Sequence, residues 1–413
     1  MKFARSLLLV IVLLGTASAE RVSLESFASG LDTVPIAILP FRSTDGSVIN
    51  DDLPWQVVGD DLNFSGRFAV TRTDHVDTAL FREKGIAIYI DGEYSTVNGV
   101  VSLDCYVHDA TTQDLLMGKK FKGEPKVLRS MSHRFSNQIV ETLFGDKGIF
   151  ETRVVFVKYE NGRKNLWLAD FDGRSQRQIT NTNTVNVFPA FVDSGTIIWT
   201  SFLRGKPDLY KGSLGGGKSQ IFIFSRYVQT SPSVSSVVGK ISFGSSKSGN
   251  MEIYTCNFDG SDQNQITYTK SINTSPCWSP NGYQIAFTSD RSGQPQIYVM
   301  DADGSNVHRV TFEGRYQDSP AWSPKGDLIA YSSLGPAGKF EICVVKPDGT
   351  GSRLLTSNPG NNAYPAWSSD GRHIMFASSW GGKSDLWVVR ADGGGLRRIT
   401  NSGNAEMPDW SHF

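Results

Sequence analysis

One stretch of the chain matches a motif that binds nucleotide phosphates. Gly212–Ser219 reads G-S-L-G-G-G-K-S, which fits G-x-x-x-x-G-K-S in full. Such a loop cradles phosphate where it joins a strand to a helix, because the amide groups of the helix N-terminus then face the anion. The residues that follow, 220–224, are Gln-Ile-Phe-Ile-Phe and are typical of a strand. This context predicts a hairpin turn and no nucleotide site.

Other residues that could act in catalysis or bind a metal lack the partners that this chemistry needs. Asp301 and Asp303 precede Gly304 as in a calcium loop, but the third acidic ligand and the terminal glutamate of such a loop are missing. The six histidines share no metal-ligand spacing, and no G-x-S-x-G nucleophile motif is present. The sequence therefore predicts no catalytic residue, no cofactor and no metal, in a protein that is not an enzyme.

A repeated proline shows how the chain is organised. A proline followed two residues later by tryptophan returns in steps of 44, 45 and 43 residues, at Pro276, Pro320, Pro365 and Pro408. Weaker copies at 232 and 189 extend the series, and Asn-Gly or Asp-Gly turns separate short apolar runs within the repeats. Four short strands in a repeat of about 40 to 45 residues are typical of a propeller blade. The sequence predicts a mainly β fold with a six-bladed β-propeller.

The first repeat lacks its own Pro-x-Trp strand. Arg153–Val157 corresponds to the second strand of the other repeats, and the missing strand is present at the other end of the chain, in residues 408–413. We expect this C-terminal strand to pair with the first blade and close the ring. Closure removes the exposed sheet edges of an open array.

The N-terminus has the pattern of an export signal. Lys2 and Arg5 precede an apolar run at 7–14, and small residues lead to a cleavage point after Ala19. The run is too short to span a bilayer. Residues 1–19 are therefore predicted to be a signal peptide, with the mature chain beginning at Glu20.

Composition and cysteine usage limit the kinds of partner. The chain has 41 basic and 41 acidic residues, so its net charge of zero provides no long-range field for nucleic acid or an anionic membrane. We therefore expect partners among proteins or small ligands. The four cysteines, at 105, 256, 277 and 343, fall in strand patterns, and we expect them to be buried free thiols.

Residues 20–148 differ from the repeats because strands alternate with helices. Strands are predicted at 35–41, 86–90, 100–107 and 115–117, and helices at about 52–64, 74–84 and 128–143. Apolar residues recur every three or four positions in the last helix. We expect a small N-terminal α/β domain, joined through residues 145–148 to a propeller at 149–413.

At this domain junction the sequence resembles the TolB family of periplasmic Tol-Pal proteins. The resemblance covers the whole chain and is most specific in His133–Glu141, which leads into Gly148–Val154. Ile285–Gly293 resembles the blade motif of the family, although propellers of peptidases and lyases also contain that motif. The junction and the export signal together distinguish the TolB family from those enzymes.

The resemblance implies a monomeric, non-catalytic binding scaffold in the periplasm. Members of the family bind the peptidoglycan-associated lipoprotein Pal at the mouth of the propeller channel and TolA through their N-terminal segment, and colicins exploit the same surface. The implied role is to link these envelope proteins, which maintains outer-membrane integrity and assists constriction at cell division. No nucleic acid and no direct membrane insertion are implied.

The family also implies contact positions for Pal in the loops before the blade prolines. These positions map onto Val228, Ser231, Thr274 and Ser275. Other members have ionisable side chains where this chain has valine and serine, so the contact could instead extend to Arg226, Tyr227, Arg315, Tyr316 and Asp318. Loops at one rim of a propeller converge on its channel and form a natural binding face. The alternative is that these residues only form turns between blades.

The segment 20–31 precedes the first predicted strand. The resemblance implies that it binds TolA when released from the protein, through Glu20, Arg21, Val22, Leu24 and Phe27. A frayed terminus is the alternative.

A function of another class also fits a propeller. Blades bring distant residues together at the central channel, so a periplasmic hydrolase or lyase with its active site there is the alternative to a scaffold. A metal or converging carboxylates at the channel floor would favour that enzyme.

Overall fold

The computed structural model describes residues 33–49, 51–217 and 219–413. The predicted signal peptide with Ala19 and the predicted TolA-binding segment 20–31 lie outside the described residues. The described part is mainly β, with a six-bladed propeller and a smaller N-terminal domain of helices and a mixed sheet, which confirms the predicted fold class. None of its helices is long and apolar enough to cross a bilayer.

The described residues of the N-terminal domain form one mixed sheet and three α-helices. The strands are β1 (Val34–Ile38), β2 (Arg42–Ser43), β3 (Phe68–Arg72), β4 (Ile88–Val97), β5 (Val100–Asp109) and β6 (Leu115–Gly123). Their order is β3-β1-β4-β5-β6, with β2 beside β4; β1 is parallel to β3 and β4, and β4, β5 and β6 are antiparallel. The helices are α1 (Pro54–Phe64), α2 (Thr78–Glu83) and α3 (Leu128–Phe144), with a 3-10 turn at Pro125–Val127.

Several elements of this domain differ from the sequence prediction. β4 and β6 extend to Val97 and Gly123, beyond the predicted 86–90 and 115–117, and the short strand β2 was not predicted. α2 begins at Thr78 instead of about 74, because the Asp77 carboxylate accepts hydrogen bonds from the N–H groups of Ala79 and Leu80, both at 3.0 Å, and caps the helix there. β3 was not predicted, because Phe68 is its only buried side chain and no alternating pattern marks it. By contrast, α3 buries its predicted apolar stripe, and β5 buries alternate residues as expected.

Each propeller blade is a four-stranded antiparallel sheet. Blade 1 consists of β7 (Arg153–Glu160), β8 (Arg163–Asp170), β9 (Arg177–Gln178) and the C-terminal strand β30 (Ala405–Trp410). Blade 2 has β10 (Asn186–Asp193), β11 (Thr196–Ser201), β12 (Asp208–Ser213) and β13 (Gln220–Ile221). Blade 3 has β14 (Gln229–Ser235), β15 (Lys240–Ser245), β16 (Glu252–Asn257) and β17 (Asn264–Gln265). Blade 4 has β18 (Asn273–Trp278), β19 (Gln284–Ser289), β20 (Gln296–Asp301) and β21 (His308–Arg309). Blade 5 has β22 (Gln317–Trp322), β23 (Ile329–Leu334), β24 (Phe340–Val345) and β25 (Arg353–Leu354), and blade 6 has β26 (Asn362–Trp367), β27 (His373–Ser378), β28 (Asp385–Arg390) and β29 (Arg397–Arg398).

The glycine-rich segment that resembles a phosphate-binding loop joins β12 to β13. It therefore connects two strands of blade 2, and no helix follows it to direct amide groups at a phosphate.

The C-terminal strand occupies the innermost position of blade 1. β30 is antiparallel to β7, with Trp410 opposite Val154 and Ala405 opposite Lys158. The strand covers 405–410 and not 408–413, because the residues before the proline also pair with β7. Trp410 is 2% exposed, and its Nε1–H donates a hydrogen bond to Thr152 Oγ1 at 2.8 Å.

Buried hydrogen bonds connect strands within most blades and, at three seams, reach the next blade. In blade 4, Thr311 Oγ1 donates to Gln296 Oε1 at 2.8 Å and accepts from the Ile297 N–H at 2.9 Å. In blade 3, Glu252 stands where blade 4 has Gln296 and accepts a 2.7 Å hydrogen bond from Asn273 Nδ2 of blade 4. The same arrangement recurs at two other seams. Asn165 of blade 1 accepts hydrogen bonds from Thr180 and from Asn186 of blade 2. Glu341 of blade 5 accepts them from Thr356 and from Asn362 of blade 6.

The N-terminal domain packs against the ends of blades 1 and 6. Phe171, just after β8, meets Phe64 of α1 edge-on, with ring centroids 5.1 Å apart. His373 Nε2 of β27 lies 3.0 Å from the Phe64 carbonyl oxygen, and Arg129 of α3 forms an ion pair with Asp172. We call this end of the propeller the proximal rim and the opposite end the distal rim.

The four cysteines are free thiols. Cys105 lies in the N-terminal sheet, and the other three lie in separate blades. Burial raises the pKa of Cys256 to about 12 and the pKa of Cys277 to about 11. These thiols therefore remain protonated near neutral pH, and protonated thiols are poor nucleophiles.

Removal of the C-terminal strand should destabilise the propeller. A variant that ends at Asn404 loses β30, leaves the inner edge of β7 unpaired and removes a buried tryptophan. Loss of one buried tryptophan side chain costs about 3–5 kcal/mol, so we expect the melting temperature to fall by roughly 10 °C or more. A variant that lacks only Phe413, which is 54% exposed, serves as the control. Equal melting curves for the two variants would contradict ring closure by this strand.

Candidate protein-binding rim and channel

The distal rim is formed by two sets of loops. Because each first strand runs from the distal to the proximal rim, the distal rim contains the loops before the first strands and the loops between second and third strands. With their flanking strand ends, these loops are 159–164, 181–185, 202–207, 224–228, 246–251, 268–272, 290–295, 312–316, 335–339, 357–361, 379–384 and 401–404.

The residue before each blade proline has a left-handed backbone. Its φ lies between 50° and 59° in all six blades, at Phe188, Ser231, Ser275, Ser319, Tyr364 and Met407. The pairing of the first and second strands shifts register at each of these positions. Each position is therefore a β-bulge, a device that redirects side chains near sheet edges and binding sites. The prolines were recognised in the sequence, but the bulges were not.

The residues at the bulges make the channel asymmetric. Phe188 of blade 2 and Tyr364 of blade 6 approach each other to 6.2 Å between ring centroids, and Met407 of the intervening blade 1 is buried with them. Blades 3, 4 and 5 have serine at the same position. One side of the channel is therefore apolar at this level, and the other side carries hydroxyl groups.

Four of the residues predicted to contact Pal lie on the hydroxyl-bearing side. Ser231, Thr274, Ser275 and Asp318 belong to the first strands of blades 3, 4 and 5, and all four are partly exposed. Asp318 Oδ1 accepts a hydrogen bond from Thr288 Oγ1 at 2.8 Å, which holds the carboxylate near the start of its strand.

The remaining predicted residues lie in the distal loops that lead into these strands. They are Tyr227 and Val228 before β14 and Tyr316 before β22, together with Arg226 and Arg315. Arg226 Nη2 donates a hydrogen bond to the Tyr227 hydroxyl at 2.7 Å, and the ring of Tyr316 meets that of Phe340 at 5.6 Å between centroids. The loop and strand residues therefore belong to one continuous sector, blades 3 to 5.

Exposed aromatic side chains are concentrated on the distal rim. Of the nine in the described part of the propeller, seven lie there: Tyr159, Phe202, Phe224, Tyr268, Phe312, Tyr316 and Trp380. Tyr283 and Phe413 are the exceptions. Single exposed apolar residues are ordinary, but their concentration on one face is typical of an interaction surface.

The distal loops are also rich in positive charge. Their twelve segments contain eleven lysine and arginine residues but three acidic residues. Carboxylates at the strand ends below offset part of this charge; Asp208, Glu252 and Asp385 are buried and Glu341 is partly exposed. The net charge of zero conceals this concentration, because the loops are dispersed along the chain.

Asp409 is an acidic residue in the wall of the channel. It follows Pro408 in β30, and its Oδ2 accepts a hydrogen bond from the Phe191 N–H of blade 2 at 2.8 Å. Burial raises the pKa of Asp409 to about 7, although this hydrogen bond acts in the opposite direction. The same position is Ser233 in blade 3 and Cys277 in blade 4, so carboxylates do not converge at this level. Throughout the described residues, no group of three or more His, Cys, Asp or Glu side chains could hold a metal.

A cavity of about 560 Å³ lies between the N-terminal domain and the proximal rim. Five aspartates and two arginines contribute to its lining: Asp51, Asp52, Asp60, Asp61, Asp172, Arg129 and Arg174. Ion pairs link Arg129 to Asp172 and Arg174 to Asp52, and the Asp61 carboxylate lies 2.8 Å from His133 Nδ1. The two ion pairs join the N-terminal domain to blade 1, and the remaining aspartates leave the lining with an excess of acidic groups.

Comparison with known families identifies the propeller. The family described as TolB beta propeller domain matches residues 140–413, well over half of the chain. The chain belongs to the TolB family. The resemblance inferred from the domain junction is therefore confirmed.

Curated relatives of this TolB-family chain carry the same name. The Tol-Pal system protein TolB of Desulfosudis oleivorans is 32% identical over 157 residues, which are 38% of this chain and 36% of that protein. The protein TolB homolog of Chlorobium chlorochromatii is 35% identical over 176 residues, 40% of each chain. The chain thus spans less than half the length of these relatives in the matched regions. Neither name denotes an enzyme, in agreement with the prediction of a non-catalytic protein.

A solved TolB structure shares the overall fold. The crystal structure of TolB from Acinetobacter baumannii matches 92% of this chain and 96% of that chain, with a TM-score of 0.80 and 24% identity. The fold is therefore similar across both domains.

The partly buried Asp409 should make stability depend on pH. Its folded pKa of about 7 lies above the unfolded value of about 3.9, so its contribution is fully present below pH 4 and is lost as pH rises through 7. Relative to Asp409→Asn, the unfolding free energy of the wild type should fall by up to about 1.4 kcal/mol per pH unit between these values. Denaturant titrations of both proteins from pH 4 to 8 measure this difference. A difference that does not change with pH would contradict the elevated pKa.

Proposed function

We propose that this chain is a periplasmic protein-binding scaffold of the Tol-Pal system that binds Pal on its distal rim. The observation that carries the proposal is the concentration of exposed aromatic side chains on that rim, at the end of the propeller opposite the N-terminal domain. Because the N-terminal domain of this TolB-family chain covers the opposite end of the propeller, the channel mouth on the distal rim is free for a protein partner. The Tol-Pal names of the curated relatives support the same system.

The sector of blades 3 to 5 is the proposed centre of the Pal contact. Its first strands provide Ser231, Thr274, Ser275 and Asp318, and its loops provide Tyr227, Val228 and Tyr316. The hydroxyl groups and the carboxylate offer hydrogen bonds that fix orientation, and the nearby exposed rings of Tyr268 and Phe312 offer apolar area. Aromatic anchors with a polar surround are typical of the residues that contribute most to binding.

The proposed second partner is TolA, bound by segment 20–31 through Glu20, Arg21, Val22, Leu24 and Phe27. The apolar side chains of Val22, Leu24 and Phe27 suit binding by strand addition to a partner sheet. One monomer would then connect Pal at the distal rim with TolA at the N-terminus. This link supports the proposed roles in outer-membrane integrity and cell division, and the exposed rim is also the proposed target of colicins.

Substitutions on the rim should weaken Pal binding without unfolding the protein. Tyr268 and Phe312 are 76% and 66% exposed, so Tyr268→Ser and Phe312→Ser remove partner contacts but little internal packing. We expect each to raise the Kd for the soluble domain of Pal by about 10-fold in calorimetric titrations. Tyr283→Ser is the matched control, since Tyr283 is 72% exposed at a proximal turn. The proposal fails if the folded wild type does not bind, or if all three variants bind like wild type.

Loss of segment 20–31 should remove TolA binding alone. We expect a mature chain that begins at Asp32 to lose measurable affinity for the periplasmic domains of TolA but to bind the soluble domain of Pal as tightly as the full mature chain, because the rim is intact. Binding of the shortened chain to surface-immobilised TolA measures the TolA affinity. Titration of the same chain with the soluble domain of Pal shows that it is folded. Retained TolA affinity would refute a role for the segment.

A further inference from the structure

The seam between blades 6 and 1 differs from three of the other five seams of the ring. At three seams, an asparagine of the next blade donates a hydrogen bond to the buried acceptor of the preceding blade, at Asn186, Asn273 and Asn362. At the closing seam the corresponding residue is Ala405. The backbone N–H of Gly403 donates to Asp385 Oδ1 instead, at 3.0 Å.

The loop that leads into this seam is shorter than its counterparts. Ala405 follows Thr400 by five residues, whereas Asn186, Asn273, Gln317 and Asn362 each follow the corresponding threonine by six. The hydrogen bond from Gly403 to buried Asp385 draws the short loop toward the strand ends. A groove of about 370 Å³ lies over it on the distal rim, lined by Tyr159, Lys164, Lys383, Ser384, Gly403, Asn404 and Glu406. We call it the closing-seam groove.

The charges of the groove favour an anionic group. Lys164 forms an ion pair with Glu406, whereas Lys383 has no ion-pair partner among the described residues and is exposed. Asp385 below is already bonded to Thr400, Gly403 and Arg398, so it does not neutralise Lys383 from within. Tyr159, 47% exposed, provides an aromatic wall.

The groove borders the channel mouth. Glu406 lies in the first strand of blade 1 and directly precedes Met407, the bulge residue that packs with Phe188 and Tyr364 at the channel. The blade 3 to 5 sector lines the same mouth through the first strands β14, β18 and β22. A protein that covers the mouth from that sector would also reach the groove.

We propose that the closing-seam groove receives an acidic side chain, aspartate or glutamate, of the protein that docks on the distal rim, with Lys383 as its ion-pair partner. This inference rests on the proposed function, since it concerns the same rim partner. It adds an anchor on the side of the mouth opposite blade 4, where the positions taken from the family provide none. The surplus of positive charge in the distal loops is complementary to an acidic partner surface.

The test compares Lys383→Glu with Lys325→Glu. Lys325 is an exposed lysine at a proximal turn, so both variants make the same change in net charge. With the soluble domain of Pal as the probe, we expect Lys383→Glu to raise the Kd by about 10-fold at low salt, chiefly through faster dissociation, and by less at about 0.5 M salt. Lys325→Glu should change the Kd by less than about 2-fold, because its charge lies far from the interface.

The outcomes separate this inference from the proposed function. If the two charge reversals have equal effects while Tyr268→Ser still weakens binding, the groove is not an anchor but the rim remains the Pal surface. A reduced association rate with unchanged dissociation would assign Lys383 to long-range attraction alone and would also overturn the ion pair. If folded wild-type protein does not bind Pal at all, the proposed function fails and the groove has no partner of this kind.

Discussion

The buried hydrogen bonds between blades are the constraint on which the rest of the propeller depends. A buried carboxylate or amide is costly unless its hydrogen-bonding groups are satisfied, and in blade 3 full satisfaction of Glu252 requires Asn273 of blade 4. Blade 2 lacks the threonine that donates to the buried acceptor in the other blades. Ile223 stands where the other blades have threonine, and Asp208 pairs instead with Arg204 and Lys206 of the distal loop. The local chemistry changes, but the buried charge remains satisfied.

This internal framework leaves the distal loops free to carry a surface. The first strands are held by their neighbours and turned by a bulge before each proline, so the residues at the mouth occupy equivalent positions in all six blades. Their chemistry can then differ from blade to blade without a change of backbone. Aromatic and aliphatic residues close one side of the channel, at Phe188, Tyr364 and Met407, while serines occupy the other side. An asymmetric binding face thus arises from a nearly symmetric scaffold.

The sequence predicted those features that repeat. Proline, tryptophan and turn glycines recur with the blade period, so the number and order of the strands could be read directly, as could the apolar stripe of α3. Features that depend on one local contact were missed, such as the start of α2 at the Asp77 cap and the isolated strand β3. The candidate site was located only by family resemblance. Its bulges, its concentration of aromatic rings and its positive charge arise from loops that are far apart in sequence, so no local pattern could reveal them.

Ring closure explains why one seam should differ in function as well as in structure. Every other blade supplies its first strand from the chain that immediately precedes its second strand, whereas blade 1 receives β30 from the opposite end of the chain. At this seam a backbone N–H, not an asparagine side chain, satisfies the buried acceptor. Loop N–H groups of Thr182 and Thr269 also donate to the acceptors of blades 1 and 3, but there an asparagine side chain donates as well. At the closing seam the shorter loop provides no such asparagine, and the groove lies above it. The same arrangement that completes the internal hydrogen bonds therefore leaves Lys383 exposed beside the channel mouth.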